Sequence, residues 1–331
     1  MTERALRGAA RLVACAAPQA GEQVLILTDD GLPAEITALF RTAVEDTGAE
    51  ATLVQMRRTA ITRSQPSPVA AAGFTGADIV IELTTQFVQH SEARQRGQRN
   101  GLRYLFIGDI DEAMLAGPGA VYADFAGLAP RIEGVADIVT ASETMRLTTA
   151  AGTDITLSTA GRPGRALTGL AKSPGQFGAP PCLEAGVIPV PGTATGTIVV
   201  DAYCVGIGLV SEPFTVEVEN GSAVRIHGSP EAERLRRLLG DTGSPHAFDV
   251  CEVGIGLNDT ALLIDNVTSA ESCYGTAHIA VGTTPADPGI EIVDAGIHVD
   301  MVFHAPTIEI GGRTVFRDGE LVADTAAPGS A

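Results

Sequence analysis

A change of rhythm near residue 145 constrains this chain more than any other feature. From Glu22 the sequence runs through an apolar stretch, Val24 to Leu27, a turn at Asp29-Asp30-Gly31, and an amphipathic segment with apolar Ile36, Leu39, Phe40 and Val44. Gly48 and a second apolar stretch, Ala51 to Val54, follow. Strand, turn, helix and strand in that order make a βαβ unit. The pattern repeats with a strand at Asp78 to Leu83, a polar helix from about Gln86 to Asn100 and a strand at Tyr104 to Ile107. Such alternation predicts an α/β domain with a doubly wound parallel sheet over residues 1–145. After Glu143, short runs of Thr, Val and Ile are cut by turns such as Gly161-Arg162-Pro163-Gly164, Pro191-Gly192, Glu219-Asn220-Gly221 and Asp318-Gly319. These predict a mostly β domain, a curved or barrel-like sheet, over residues 146–322. One helix is expected within it, Pro230 to Leu239, with Ser229 as N-cap and Gly240 as its stop. Residues 323–331 have little to bury and are expected to fray.

With 331 residues, 45% of them hydrophobic, the chain can bury two cores. Its net charge of -18 repels phosphate backbones and anionic lipid, which argues against nucleic acid and membrane surfaces as partners. The five cysteines are odd in number and lack any C-x-x-C spacing, so they read as reduced thiols in a cytoplasmic protein. Arg4, Arg7 and Arg11 interrupt the apolar stretch that ends at Ala17, and no apolar run approaches the ~18 residues of a membrane helix. Neither a signal peptide nor a membrane span is expected.

Three of six histidines, His278, His298 and His304, fall on two apolar runs, Gly275 to Gly282 and Gly296 to His304. In a strand, residues i and i+2 share a face, so His298 and Asp300 can reach one point and His278 can close on it from a neighbouring strand. Two imidazoles and one carboxylate form a metal site with open positions. The competing reading is a hydrogen-bonded structural cluster. His304 shares the face of His298 but lies roughly 20 Å along an extended strand. It cannot be a further ligand unless the strand bends; Ala305-Pro306 allows such a bend just after it, so His304 reads as a pocket base or as an ordinary loop histidine. Glu252 and Glu271 are carboxylates for a further ligand, an orienting partner or a general base. Gly206-Ile207-Gly208 and Gly254-Ile255-Gly256 precede strand-like or turn-like sequence, whereas a dinucleotide fingerprint must open a helix. Cys273 lies five residues before His278, so a thiol–imidazole dyad is conceivable, but neither residue has the helix N-terminus that usually depresses a thiol pKa.

These motifs resemble a known family. Gly152-Thr153-Asp154-Ile155, Gly161-Arg162, Gly186 to Pro191, Gly196 to Asp201, Glu252 to Asn258, Glu271, Gly275 to Gly282 and His298-Val299-Asp300 are similar to the thermophilic metallo-aminopeptidases of peptidase family M29. They are equally similar to the related 2,5-dihydroxypyridine 5,6-dioxygenases. The aminopeptidases hold a pair of ions, using a Gly-Glu-Val carboxylate; here Gly186 precedes the valine, and Glu184 stands two residues early. That offset keeps the face but moves the carboxylate by about 6.6 Å, too far for a simple substitution. The resemblance to the dioxygenase branch implies that His278, His298 and Asp300 hold one Fe(II).

The function expected is therefore a mononuclear non-haem Fe(II) dioxygenase that opens the ring of a small hydroxylated aromatic or N-heterocycle, with dioxygen as co-substrate. Glu252 or His304 would take the substrate proton. The alternatives are a metallo-aminopeptidase or other amide hydrolase using Zn, Co or Mn with Glu252 or Glu271 as base, and a non-catalytic, metal-stabilised binding protein. The resemblance also implies a homo-oligomer.

Overall fold

The computed structural model describes residues 2–58, 65–287 and 289–325, so the expectation for the tail lies, beyond Thr325, outside the described residues. The chain forms two compact units, one of Met1–Ala126 with Leu167–Leu183 and one of Gly127–Ala166 with Glu184–Ala331. The sequence reading cut the chain once, at 145. In the structure the segment Leu167–Leu183 returns to the first unit, where Phe177–Gly178 adds a parallel strand beside Arg103–Phe106.

The first unit is α/β. Its five parallel strands run in the order Glu50–Met56, Gln23–Asp29, Ile79–Glu82, Arg103–Phe106 and Phe177–Gly178. The inner strands Ile79–Glu82 and Arg103–Phe106 are buried at every position, which is why they read as apolar runs and not as alternation. Helix Ala34–Glu45 buries Ile36, Leu39, Phe40 and Val44 at helical spacing, as expected. The next expected helix begins later, at Glu92, with the Ser91 hydroxyl accepting from the Arg94 amide. Residues before it are committed elsewhere. The amides of Thr85 and Gln86 donate to Asp29 Oδ2 at 2.7 and 3.0 Å, and that of Val88 donates to Glu82 Oε1 at 2.6 Å. Two acids at the carboxyl ends of adjacent strands thus engage the groups that a ligand at this reversal of strand order would use.

Glu82 is fully buried, and besides Val88 it accepts from Thr84 Oγ1 at 2.6 Å and from the Tyr104 hydroxyl at 2.8 Å. Burial raises its carboxyl above the ordinary value of 4.5, and the three hydrogen bonds offset this only in part. Stability from a raised carboxyl is complete below the unfolded value and is lost as pH rises through the folded one. Glu82→Gln, which cannot ionise, is therefore expected to gain melting temperature relative to the parent as pH climbs above 4.5. Paired thermal melts check this, and a gap that stays constant or closes with rising pH contradicts it.

The second unit is β-rich. One sheet has eight strands, in the order Ser222–His227, Phe214–Glu219, Thr195–Val200, Asp154–Ser158, Thr144–Thr148, Thr307–Ile310, Arg313–Arg317 and Glu320–Leu321. The other has seven, in the order Gly208–Leu209, Tyr203–Cys204, His298–His304, Thr276–Gly282, Val250–Gly256, Glu184–Val187 and Arg165–Leu167. Both are built on antiparallel pairs. The expected helix spans Pro230–Gly240, with Ser229 at its N-cap. Gly254-Ile255-Gly256 lies inside a strand, while Gly206 lies in the turn between two short strands and Gly208 begins the second of them, so neither motif opens a helix. Among the described residues no helix is long and apolar enough to cross a membrane.

Candidate metal centre

The seven-stranded sheet sorts its side chains by parity. On the strands Val250–Gly256, Thr276–Gly282 and His298–His304, one face carries Val253, Ile255, Ala277, Ile279, Val281, Val299, Met301 and Phe303, all buried and apolar. The register pairs Gly254 with His278, Ala280 with Asp300 and Gly282 with His298, so the opposite face gathers the polar residues. Glycine and alanine stand between them. Gly254, Ala280 and Gly282 leave the space into which the imidazoles and carboxylates fold.

Gly254 is essential to this arrangement. A Cβ built there would lie 2.1 Å from His278 Cε1 and 2.3 Å from Nε2, so the ring rests directly on the glycine backbone. The same opening explains Glu184. It pairs with Gly256, two positions from Gly254, and the bare face at Gly186 and Gly254 lets its side chain run along the sheet to His278. Glu184 Oε2 stops 3.8 Å from His278 Nε2. The sequence-based expectation that a two-residue offset keeps Glu184 out is thus corrected: the side chain covers the distance that the backbone does not.

His298 and His278 converge on one oxygen. Asp300 Oδ1 lies 3.0 Å from His298 Nε2 and 3.8 Å from His278 Nε2, and Glu252 Oε2 lies 3.3 Å from His298 Nε2. Donor atoms of Glu184, Glu252 and His278, and likewise of Glu252, His298 and Asp300, lie within 4.8 Å of one another, so two groups share Glu252. His298 Nδ1 is 2.8 Å from the Thr283 carbonyl, an acceptor, so Nδ1 carries a proton; Cys251 Sγ is 3.6 Å from the same nitrogen. Nε2 is therefore the atom that His298 turns to the two carboxylates: a protonated ring donates to them there, and a bound cation would take the place of that proton. Glu184 Oε2 and His278 Nδ1 are buried without hydrogen-bond partners, a cost the fold carries at this cluster. Nitrogen and oxygen donors in this mixture suit a divalent transition metal.

Charge in the cluster is graded. Burial pushes Glu184 up to about 7, with the charges of Glu252 and Asp300 adding to the rise. Glu252 is also penalised by burial, but the Arg165 charge and the His298 hydrogen bond outweigh it and hold the carboxyl near about 2. Asp300 lies below the usual carboxylate range because both imidazoles outweigh burial. Glu271 sits on the helix Val267–Ser272, which Asn266 caps, and it hydrogen-bonds Asp300. Burial and the Asp300 charge raise Glu271 well above the ordinary value while Asp300 is held below it, so of the two hydrogen-bonded carboxyls Glu271 is the one that keeps the proton and donates.

His304 is not brought to this cluster. The strand His298–His304 runs without a break, so the histidine ends at its far, exposed tip, where its amide donates to Asp201 Oδ1 at 2.9 Å. Cys273 turns its thiol to the carbonyls of Ala261 and Tyr274, and burial raises its pKa, so no dyad with His278 forms. Sequence reasoning missed Arg165, whose guanidinium ion-pairs with Glu252. It follows Gly161-Arg162-Pro163-Gly164, which reads as a turn, and only the structure shows a strand at Arg165–Leu167 beside Glu184–Val187.

The family model described as 2,5-dihydroxypyridine 5,6-dioxygenase matches residues 9–323. A search of curated proteins gives no match. Among solved structures, 2,5-dihydroxypyridine dioxygenase from Pseudomonas putida KT2440 aligns with a TM-score of 0.83 and 18% identity, covering 97% of each chain. Wild-type AmpT from Thermus thermophilus aligns with a TM-score of 0.68 and 15% identity, covering 97% of this chain and 100% of that one. At these identities the two structures are alike in fold.

Proposed function

The chain belongs to the 2,5-dihydroxypyridine 5,6-dioxygenase family, and from that we propose that it is an Fe(II)-dependent dioxygenase opening the ring of a small hydroxylated aromatic or N-heterocycle. The family match is the observation that carries the reaction, and the donor set supports the metal. We assign His278, His298 and Asp300 to hold the ion; Glu252, common to the donor group that contains His278 and the one that contains His298 and Asp300, stands beside it. A bound Fe(II) would supply neighbouring open positions for dioxygen and an anionic ring oxygen.

The protein's own groups prepare that encounter. Thr283 fixes the His298 tautomer, so that Nε2 faces inward. Glu271 donates its proton to Asp300 and thereby orients it. Glu252 is pinned by Arg165 and serves as a fixed negative charge, which suits it less to the proton transfer expected of it from sequence. Glu184 Oε2 is buried and unpartnered, and it is the oxygen placed to accept the substrate hydroxyl proton.

The same reading includes a cytoplasmic location and a homo-oligomer. None of the five cysteines is in a disulfide, in keeping with a reducing compartment. Anaerobic reconstitution with Fe(II), followed by oxygen-electrode measurements with 2,5-dihydroxypyridine, is the test. Equimolar loss of oxygen and substrate is expected, and an intact ring with no oxygen consumed would contradict the reading. One observation favours a second reading, metal-dependent amide hydrolysis: the Glu184, Glu252 and His278 group offers donors for another ion. That reading predicts cleavage of aminoacyl amides under argon with Zn, Co or Mn.

A further inference from the structure

We propose that Arg165 is a positioning residue that takes the place of a second cation in the acidic cluster, so that the centre holds a single divalent ion. The inference rests on the assignment of His278, His298 and Asp300 as the residues holding that ion. Two donor groups overlap at Glu252, and a carboxylate that bridges two ions gives one oxygen to each. Here Glu252 Oε1 is engaged by the Arg165 guanidinium, and Oε2 faces His298 at 3.3 Å. Only one oxygen therefore remains for metal.

Arg165 is delivered by the backbone. It sits on the strand Arg165–Leu167, neighbour to the Glu184–Val187 strand, and its side chain is 14% exposed against 8% for Glu252. Its charge acts on Glu252, Glu184 and Asp287 together. A guanidinium stays protonated at every accessible pH, so it neutralises these acids permanently and repels a divalent ion approaching Glu184 and Glu252. The unpartnered Glu184 Oε2 is then left for substrate and not for a metal.

The test is metal stoichiometry in the full chain, read by equilibrium dialysis against Mn(II) and by elemental analysis after anaerobic Fe(II) loading. The parent protein is expected to take one ion per chain, Arg165→Met two, and Arg165→Lys, which keeps the charge, one. A parent protein with two ions, or a folded Arg165→Met with any number other than two, overturns the inference. Should Arg165→Met fail to fold, Glu184→Gln decides: one ion in both it and the parent, bound equally well, supports the inference, whereas two ions falling to one overturns it. Failure of the underlying assignment looks different, because Asp300→Asn would then bind metal as the parent does.

Discussion

Asp300→Asn is expected to lower affinity for a divalent ion by more than about 100-fold, beyond the ~10–100-fold that groups merely orienting a ligand carry. The substitution keeps the shape and removes the charge. Asp300 Oδ1 is the oxygen that both imidazoles approach, at 3.0 Å for His298 and 3.8 Å for His278. An amide there cannot offset a cation and, if its nitrogen takes that position, presents hydrogens to both rings. It also mismatches Glu271, whose proton is donated to Asp300. Turnover should fall with the metal, since no other described carboxylate is within 3.0 Å of His298 Nε2. Equilibrium dialysis with Mn(II), alongside oxygen uptake after Fe(II) loading, measures both quantities. Parent-like affinity in Asp300→Asn would show that the cluster is a structural network and not a metal centre.

Gly254→Ala is expected to act on the same site from beneath. The added methyl would sit 2.1 Å from His278 Cε1 and 3.0 Å from Glu184 Oε2, so the ring must leave the position it holds over the sheet. Overpacking of this kind costs about 1–3 kcal/mol, and the strand has core on its other face that resists displacement. The substitution should therefore lower the melting temperature by several degrees, on the order of what that cost implies, and abolish tight metal binding. Val253→Ala, on the opposite face of the strand, supplies the control: it costs stability through a cavity but should keep the metal. Equal metal affinity in Gly254→Ala and the parent would mean that His278 is not where the ion is held.

What the sequence revealed of this site, and what it concealed, follows from strand geometry. His298 and Asp300 are legible because period-two alternation is local, and His278 because its own strand is as apolar as its neighbour. The fold change near residue 145 is legible for the same reason: helical spacing stops and turn residues take over. Glu184 was misjudged because rise per residue describes backbones, while its reach depends on Gly186 and Gly254 being bare on the adjoining strands. Arg165 was invisible because a three-residue strand after a Gly-Pro turn carries no periodicity. Helix Glu92–Arg99 starts late because Asp29, distant in sequence, and Glu82, six residues upstream of Val88, take the amides before it. A pocket role for His304 depended on a bend, and the pairing with Thr276 keeps its strand regular to the end.

The most direct test of the central claim is isotopic. Protein loaded with Fe(II) without oxygen should be mixed with 2,5-dihydroxypyridine under an atmosphere of labelled dioxygen, and the product analysed by mass spectrometry. Both labelled atoms should appear in a ring-opened product, and neither should appear when metal-free protein is used. A product whose new oxygen comes from water, or an unopened ring beside unconsumed dioxygen, contradicts the account.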